Sequence, residues 1–247
     1  MIEQVDLRKH TGEPEIRAEE ILKRRSHLIG IGFGQEWVDG LFPARPTLYD
    51  PVIVDEHISW LEDHHFQDPV KLISSLPAIF GYNQESMEAK LKWLEDHHFQ
   101  DPVKLISSSP AIFGLASKNI GQRLKLFGRL IRLYSLPFDP VELMENDYYL
   151  FSTKPDKIFV LARILRDYQV ASSTLEPKLI GKLLRANLED VLVASNETKE
   201  NSIYGLLKRI PQVWKRKLPR EEKRLIIAEG LQEANKIKQR YFRGYTN

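Results

Sequence analysis

The chain contains no cysteine, which excludes disulfide frameworks, thiolate zinc sites and thiol nucleophiles. It also lacks any uninterrupted apolar run near the roughly 18 residues that a membrane-spanning helix needs. The first twenty positions hold six acidic residues and no apolar stretch, which is typical of neither a secretory signal nor a mitochondrial transit peptide. We therefore expect a soluble intracellular protein without membrane contact, either cytoplasmic or, after removal of a targeting segment, mitochondrial.

Motifs for catalysis and cofactor binding are also missing. The glycines Gly30, Gly32 and Gly34 do not have the spacing of a dinucleotide-binding or phosphate-binding loop, and no βαβ pattern follows them. Strand signals are nearly absent, and the carboxylates and histidines are numerous but scattered. We expect no enzyme activity and no cofactor.

Charge is divided unevenly along the chain, although the formal net charge is only +2. Residues 1–114 hold 11 Lys and Arg against 19 Asp and Glu, a net −8, whereas residues 115–247 hold 25 against 15, a net +10. A basic half of this kind favours a polyanionic partner. It fits an acidic protein, or the acidic half of the same chain, equally well.

A tandem repeat is the strongest feature of the sequence. The segment WLEDHHFQDPVKLISS occurs at 60–75 and again, unchanged, at 93–108, and after one variable residue both copies continue as PAIFG. The period is 33 residues. Weaker copies of this Pro-x-aliphatic-aromatic corner occur at 46–49, at 148–151 without the proline, and at 211–214. Repeats of this length, in which each copy contacts mainly its neighbours, are typical of a solenoid.

Each unit is predicted to contain two helices and a corner. Asp68 is an N-cap residue directly before Pro69, which suits the first helical position because its missing N–H has no partner there. Pro77 ends this helix, since proline disfavours helix at the residue before it. An amphipathic second helix follows and ends at a His-His pair. We expect Phe80 and Phe113 to occupy equivalent buried corners.

These patterns predict an all-α protein built from tandem two-helix repeats that form an α-solenoid. We place an N-terminal helical cap at 1–43, the repeat array at 44–215 and a basic C-terminal helix at 216–247. The repeat units are expected near 44–59, 60–92, 93–130, 131–170 and 171–215.

The unit F-x-D-P-V-K-L-I-S-S-x-P-A-I-F-G, followed by an amphipathic helix ending in K-L-K-W-L, resembles the repeat of the mitochondrial transcription termination factor family. The resemblance covers about residues 44–215 and is clearest over 60–151. It implies a left-handed superhelix of two-helix units whose concave, basic face holds double-stranded DNA or structured RNA.

Nine basic residues form three triads at helical spacing. Positions i, i+4 and i+7 lie on one face of a helix, so each triad could bring three cations to phosphate groups together. For each triad taken alone, a solvated helix face is an equally good interpretation. The predicted nucleic-acid-binding residues are Lys125, Arg129 and Arg132; Lys178, Lys182 and Arg185; and Lys236, Arg240 and Arg243.

Two further clusters have simpler interpretations than binding sites. The basic residues at 208–209, 215–217 and 220 surround Trp214, which could stack a base, but the ring is favoured as the corner residue of its unit. The pairs His64-His65 and His97-His98 each follow an aspartate and suggest zinc. Neighbouring helical residues point about 100° apart, so helix-end histidines are favoured and no metal site is expected.

The leading hypothesis is a nucleic-acid-binding repeat protein that grips backbone phosphates along residues 115–247. The alternative is a protein-interaction scaffold without nucleic-acid binding, whose concave face holds a peptide or a folded partner. The two hypotheses differ in whether the three basic triads share one surface.

Overall fold

The computed structural model describes residues 18–41, 49–168, 175–197, 202–213 and 219–243. All regular structure within these ranges is helical, which confirms the all-α prediction. The α-helices are α1 (Ala18–Gly30), α2 (Gln35–Leu41), α3 (Pro51–Asp63), α4 (Pro69–Ser75), α5 (Gln84–Asp96), α6 (Pro102–Ser108), α7 (Ser117–Tyr134), α8 (Pro140–Asn146), α9 (Pro155–Asp167), α10 (Pro177–Arg185), α11 (Leu188–Glu197), α12 (Ile203–Val213) and α13 (Arg220–Tyr241). Over the residues described, none of the helices has the length and apolar character needed to cross a membrane.

Long and short helices alternate through the first half of the chain. The long helices α3 and α5 contain 13 residues each, and the short helices α4 and α6 contain 7 each. The same lengths recur upstream, since α1 has 13 residues and α2 has 7. The repeated unit is therefore a long helix, a short helix and the corner that follows it.

The short helices begin where the sequence predicts. The carboxylates of Asp68, Asp101 and Asp139 accept hydrogen bonds from first-turn N–H groups of α4, α6 and α8, and a proline follows each aspartate. The N–H that proline lacks costs no hydrogen bond at this position, because N–H groups of the first turn have no acceptor within the helix. Each such N-cap contributes about 1 kcal/mol to stability.

The corners are short 3₁₀ helices at Pro77–Gly81, Pro110–Gly114 and Tyr148–Ser152. Phe80 and Phe113 are 5% and 7% exposed, which confirms that both occupy equivalent buried corners. Phe151 is buried in the third corner in the same way. Tyr49, the last residue of the predicted upstream corner, is also buried, whereas the rest of that corner lies outside the described residues.

The helices α1, α3, α5 and α7 each end in a left-handed turn. The residues with positive φ at these ends are Gly32 (108°), His65 (63°), His98 (64°) and Ser135 (50°). At the end of α3, the N–H of Phe66 donates to the carbonyl of Leu61, and the N–H of His65 donates to that of Glu62. This pair of hydrogen bonds satisfies carbonyls that the helix leaves open, and it directs Phe66 into the core.

The long helix α7 departs from the period because it has 18 residues, about one turn more than α3 or α5. The additional turn carries Arg132 and Tyr134. The Tyr134 hydroxyl donates to the carbonyl of Ala162 in α9. Burial raises the pKa of Tyr134 to about 12. The extra turn of α7 therefore contacts α9 through the Tyr134 hydroxyl.

The described residues divide into two compact units. The first comprises residues up to Glu95 together with Asp101–Phe113. Its core contains aromatic rings from successive repeats: the Tyr49 and Phe80 ring centres are 5.7 Å apart, and those of Trp60 and Phe113 are 6.2 Å apart. These contacts join aromatic rings of neighbouring repeats, corner to corner in the first pair and long helix to corner in the second.

The second compact unit comprises Asp96–Gln100 and the described residues from Gly114 onward, and α9 is its central helix. Seven of the 13 residues of α9 are buried, and α9 packs against α7, α10, α11 and α13. The helix α13 crosses α9 and α11 at Gly230, where a Cβ atom would lie 2.6 Å from Leu192 and 2.8 Å from Arg163. Phe242, just beyond α13, is fully buried against Phe159.

The corner predicted at 211–214 is wrong for the residues that the structure describes. Pro211 and the following Gln212 lie inside α12, which continues to Val213. A four-residue pattern with one proline also fits the last turn of a helix, and here the chain stays helical. Trp214 lies outside the described residues.

Candidate nucleic-acid interface

The first basic triad lies on α7, whose apolar face is buried and includes Phe127, Leu130 and Ile131. Lys125 and Arg132 are exposed, as the helical spacing predicts. Arg129 lies between them and is only half exposed, because its Nε donates to the carbonyl oxygen of Tyr241 at 2.9 Å. Lys125 and Arg132 therefore face solvent, whereas Arg129 forms a hydrogen bond within the protein.

The basic character belongs to α7 and not to the repeat. The residues one and two periods before Arg129 are Asp96 and Asp63, which occupy the equivalent positions in α5 and α3 and are both exposed. The helices α3 and α5 thus carry a carboxylate where α7 carries a guanidinium. The positive charge at this position is therefore a feature of α7 alone among these three helices.

The third triad lies at the C-terminal end of α13. Lys236, Arg240 and Arg243 are exposed and line an open depression together with Gln239. The Lys236 ammonium pairs with Glu233 at 2.5 Å, and this hydrogen bond holds the pKa of the Glu233 carboxyl below its usual range. The free cations of the depression are therefore supplied mainly by the two arginines.

One assumption behind the third triad is wrong. The spacing of Arg243 places it on the same helix face as Lys236 and Arg240 only if the helix continues, but α13 ends at Tyr241. Phe242 turns into the core immediately afterwards, and the chain leaves the helical path. Arg243 reaches the depression from the segment beyond the helix. Gln239, which the charge pattern missed, lies three residues after Lys236 and could have been found by the same helical spacing.

A hydrogen bond from Arg129 of α7 to the carbonyl of Tyr241 in α13 links the helices that carry the first and third triads. Tyr241 is the last residue of α13, so its carbonyl has no N–H partner within the helix. The Arg129 guanidinium supplies that partner from α7 and also places a positive charge at the negative end of the helix dipole. We call the combined region the α7–α13 surface; its members are Lys125, Arg129, Arg132, Lys236, Gln239, Arg240 and Arg243.

The second triad has a different character. Lys178 and Lys182 are exposed on α10, but the guanidinium of Arg185 makes a bidentate pair with the buried carboxylate of Asp147. The hydrogen bond that Arg185 donates to Asp147 raises the pKa of Arg185. Among the described residues, no ion pair or hydrogen bond links this triad to the other two. The structure thus links α7 and α13, which carry two of the three predicted triads, by one hydrogen bond.

Several other cations of the second unit are neutralised by neighbouring groups. Arg163 and Arg166 both pair with Asp167, and Arg166 also lies 3.8 Å from Glu233. The hydrogen bond to Asp167 raises the pKa of Arg166. The net charge of +10 therefore overstates the number of cations that a phosphate chain could reach.

The histidine pair at 64–65 lies at the end of α3, as the sequence predicts. His64 directly follows the last residue of α3; its Nδ1 lies 2.7 Å from the Trp60 carbonyl oxygen, and its Nε2 lies 2.6 Å from a Glu88 carboxylate oxygen. In the portions of the chain that the structure describes, no three potential metal ligands cluster. The aromatic centre of the 208–220 basic cluster, Trp214, lies outside those portions.

Comparison with known proteins gives no relative for this chain: no protein-family model, no curated protein and no solved structure matches it. The resemblance to the transcription termination factors therefore rests on the residues of the repeated unit alone.

Proposed function

We propose that this protein binds double-stranded DNA or structured RNA through the phosphate backbone, and that the α7–α13 surface is the binding surface. The observation that carries the proposal is the hydrogen bond from Arg129 to the Tyr241 carbonyl, which puts two basic triads on adjoining elements. Cations that converge from two separate helices provide a broader positive surface than either helix alone, and phosphate neutralisation supplies affinity without reading sequence.

The proposal further assigns the repeats to an α-solenoid. The identical 33-residue copies and the equivalent corners at Phe80 and Phe113 support it, because units that mainly contact neighbours can be duplicated without disturbing the rest. The crossing of α13 over both α9 and α11 lies outside this simple pattern. We assign α13 the role of a terminal helix that closes the array.

The expected salt dependence follows from the number of free cations. Four members of the surface are exposed and bond to no carboxylate or carbonyl within the described structure: Lys125, Arg132, Arg240 and Arg243. Four phosphate contacts on B-form DNA predict a slope of log K against log salt of about −4. Binding of this kind is weak at physiological salt and increases steeply as the salt is diluted.

Fluorescence polarisation against a labelled DNA duplex, an RNA hairpin and a single strand tests the proposal across a salt series. The variant Arg240→Ala/Arg243→Ala should weaken binding to all duplex sequences and reduce the slope by about two units. Lys178→Ala/Lys182→Ala is the matched control, since it removes two exposed charges from α10. The control should lower affinity less and should leave the slope nearly unchanged.

Equal effects of the two double variants would reject the α7–α13 surface as the binding site, because net charge alone would then explain the affinity. The protein-interaction scaffold is the second candidate function. It is favoured by the intramolecular use of Arg129, Arg185 and Lys236, each of which already bonds to a group of the chain itself. Absence of binding to every nucleic acid at low salt would establish the scaffold as the better hypothesis.

A further inference from the structure

A nitrogen donor occupies the same position in three successive long helices. His57, Lys90 and Arg123 are spaced 33 residues apart, and each is the seventh residue of its helix, α3, α5 or α7. His57 and Lys90 are each only 6% exposed, although basic side chains normally lie at the surface. Burial lowers the pKa of both Lys90 and Arg123. Lys157 follows in α9, 34 residues after Arg123 and one turn nearer the start of its helix.

Three of these donors contact equivalent carbonyl oxygens. Each acceptor stands two residues before the first residue of the next long helix, α5, α9 or α11. The pairs are His57 Nε2 with the Tyr82 oxygen at 3.0 Å, Arg123 Nε with the Thr153 oxygen at 3.2 Å, and Lys157 Nζ with the Ala186 oxygen at 2.9 Å. Lys157 also donates to the Leu184 oxygen at 2.8 Å, near the end of α10.

The acceptor position explains why a donor is needed. Tyr82 precedes Asn83, whose side chain accepts the N–H of Ser86 and so caps α5. Thr153 likewise precedes Lys154, the cap residue of α9. A carbonyl before the cap belongs to the hydrogen-bond ladder of neither adjoining helix, and it is shielded from water fully at Thr153 and partly at Tyr82 and Ala186. A donor from the previous long helix supplies the missing partner.

We infer that this position is a coupling latch, in which one donor on a long helix fixes the start of the next long helix. The latch is formed by His57 in the first compact unit, and by Arg123 and Lys157 in the second. Imidazole, guanidinium and ammonium groups differ in shape and size but share N–H donors. The requirement is therefore for a donor of sufficient reach, which His57 and Arg123 supply from the seventh residue of their helices and Lys157 from one turn earlier.

The test compares apolar variants with variants that keep a donor. His57→Leu and Arg123→Met remove the donor while filling similar space, whereas His57→Lys and Arg123→Lys retain one. Matched controls are Ser59→Ala and Lys125→Met, which change exposed residues two positions farther along the same helices. Amide hydrogen exchange is measured over the first two turns of α5 for the α3 variants and of α9 for the α7 variants, together with the denaturant midpoint.

The apolar variants should lose about tenfold in exchange protection at the start of the following helix, since one net hydrogen bond has that weight. The lysine variants should stay within about threefold of the parent protein. If an apolar variant fails to fold while its lysine counterpart folds, the donor requirement is supported. Equal losses in the lysine and apolar variants would show that shape and not donation matters. Apolar variants that exchange like the controls would show that no latch exists. Either result overturns the inference.

Discussion

Replacing Arg185 by alanine should destabilise the protein, although Arg185 belongs to a predicted binding triad. Its Nε and Nη2 atoms lie 2.9 Å and 2.7 Å from the two carboxylate oxygens of Asp147. The Asp147 side chain is 4% exposed, whereas that of Arg185 is 53% exposed. Removal of the arginine therefore leaves a buried carboxylate whose remaining hydrogen bond comes from the N–H of Tyr149.

The size of the effect follows from the unequal exposure of the pair. Removing one partner of a fully buried ion pair costs about 3–5 kcal/mol. Because Arg185 is half exposed, water already screens part of the attraction, and we expect a loss of about 2 kcal/mol. For a chain of this length the loss corresponds to a fall of about 4–8 °C in Tm. Lys182→Ala changes an exposed side chain on the same helix and should stay within about 0.5 kcal/mol of the parent.

Thermal and urea unfolding of four variants provides the assay: Arg185→Ala, Asp147→Asn, the double variant, and Lys182→Ala as control. The double variant should be more stable than the sum of the single changes implies, because it leaves no unpaired buried charge. Strict additivity, or an Arg185→Ala protein as stable as the Lys182→Ala protein, would refute the reasoning. Binding measurements on Arg185 variants are interpretable only after this comparison.

Three further changes have defined outcomes. Gly181→Ala should cost about 1–3 kcal/mol in urea unfolding, because the new Cβ would lie 2.1 Å from an Asp147 carboxylate oxygen and must displace it; stability equal to the parent would contradict this packing. Burial raises the pKa of Tyr134 from 10.0 to about 12, so its contribution to stability is complete below about pH 10 and is lost as the pH rises toward 12. Tyr134→Phe should flatten that alkaline decline in unfolding midpoints, and an unchanged pH profile would exclude this residue as its source. Deletion of residues 60–92 joins the first nine residues of α3 to the last four of α5 and restores a 13-residue helix; circular dichroism should show one cooperative transition at a lower midpoint, whereas loss of folding would show that the copies are not interchangeable.

Local features of the fold could be predicted from the sequence because their causes lie within a few residues. An aspartate before a proline specifies a helix start at Asp68, and the repeated corner specifies the burial of Phe80. The spacing of 38 residues from Asp101 to Asp139 shows that this unit is five residues longer than the period, but it does not show that the added residues extend α7. The latch donors could have been found by aligning the units, since His57 and Arg123 differ by two whole periods.

The roles of individual cations could not be predicted, because their partners are distant in the chain. Arg185 pairs with Asp147 across 38 residues, and Arg129 bonds to Tyr241 across 112 residues. Helical spacing identifies which side chains share a face, but it does not distinguish a cation that meets solvent from one that holds two helices together. Replacing Lys178, Lys182 and Arg185 together by alanine would therefore lower stability as well as charge, because the Asp147 carboxylate would lose its partner.

The crossing of α13 over α9 and α11 determines where this gene can gain or lose copies of the unit. Upstream of α7, an inserted or deleted 33-residue segment restores every helix boundary, as the identical stretches at 60–75 and 93–108 illustrate. Downstream, an added unit would separate α9 from α11. Gly230 of α13 could then no longer pack against Arg163 of α9 and Leu192 of α11 together. Length variation among descendants of this chain should therefore occur in steps of 33 residues before Ser117, while the spacing from α7 to α13 stays fixed.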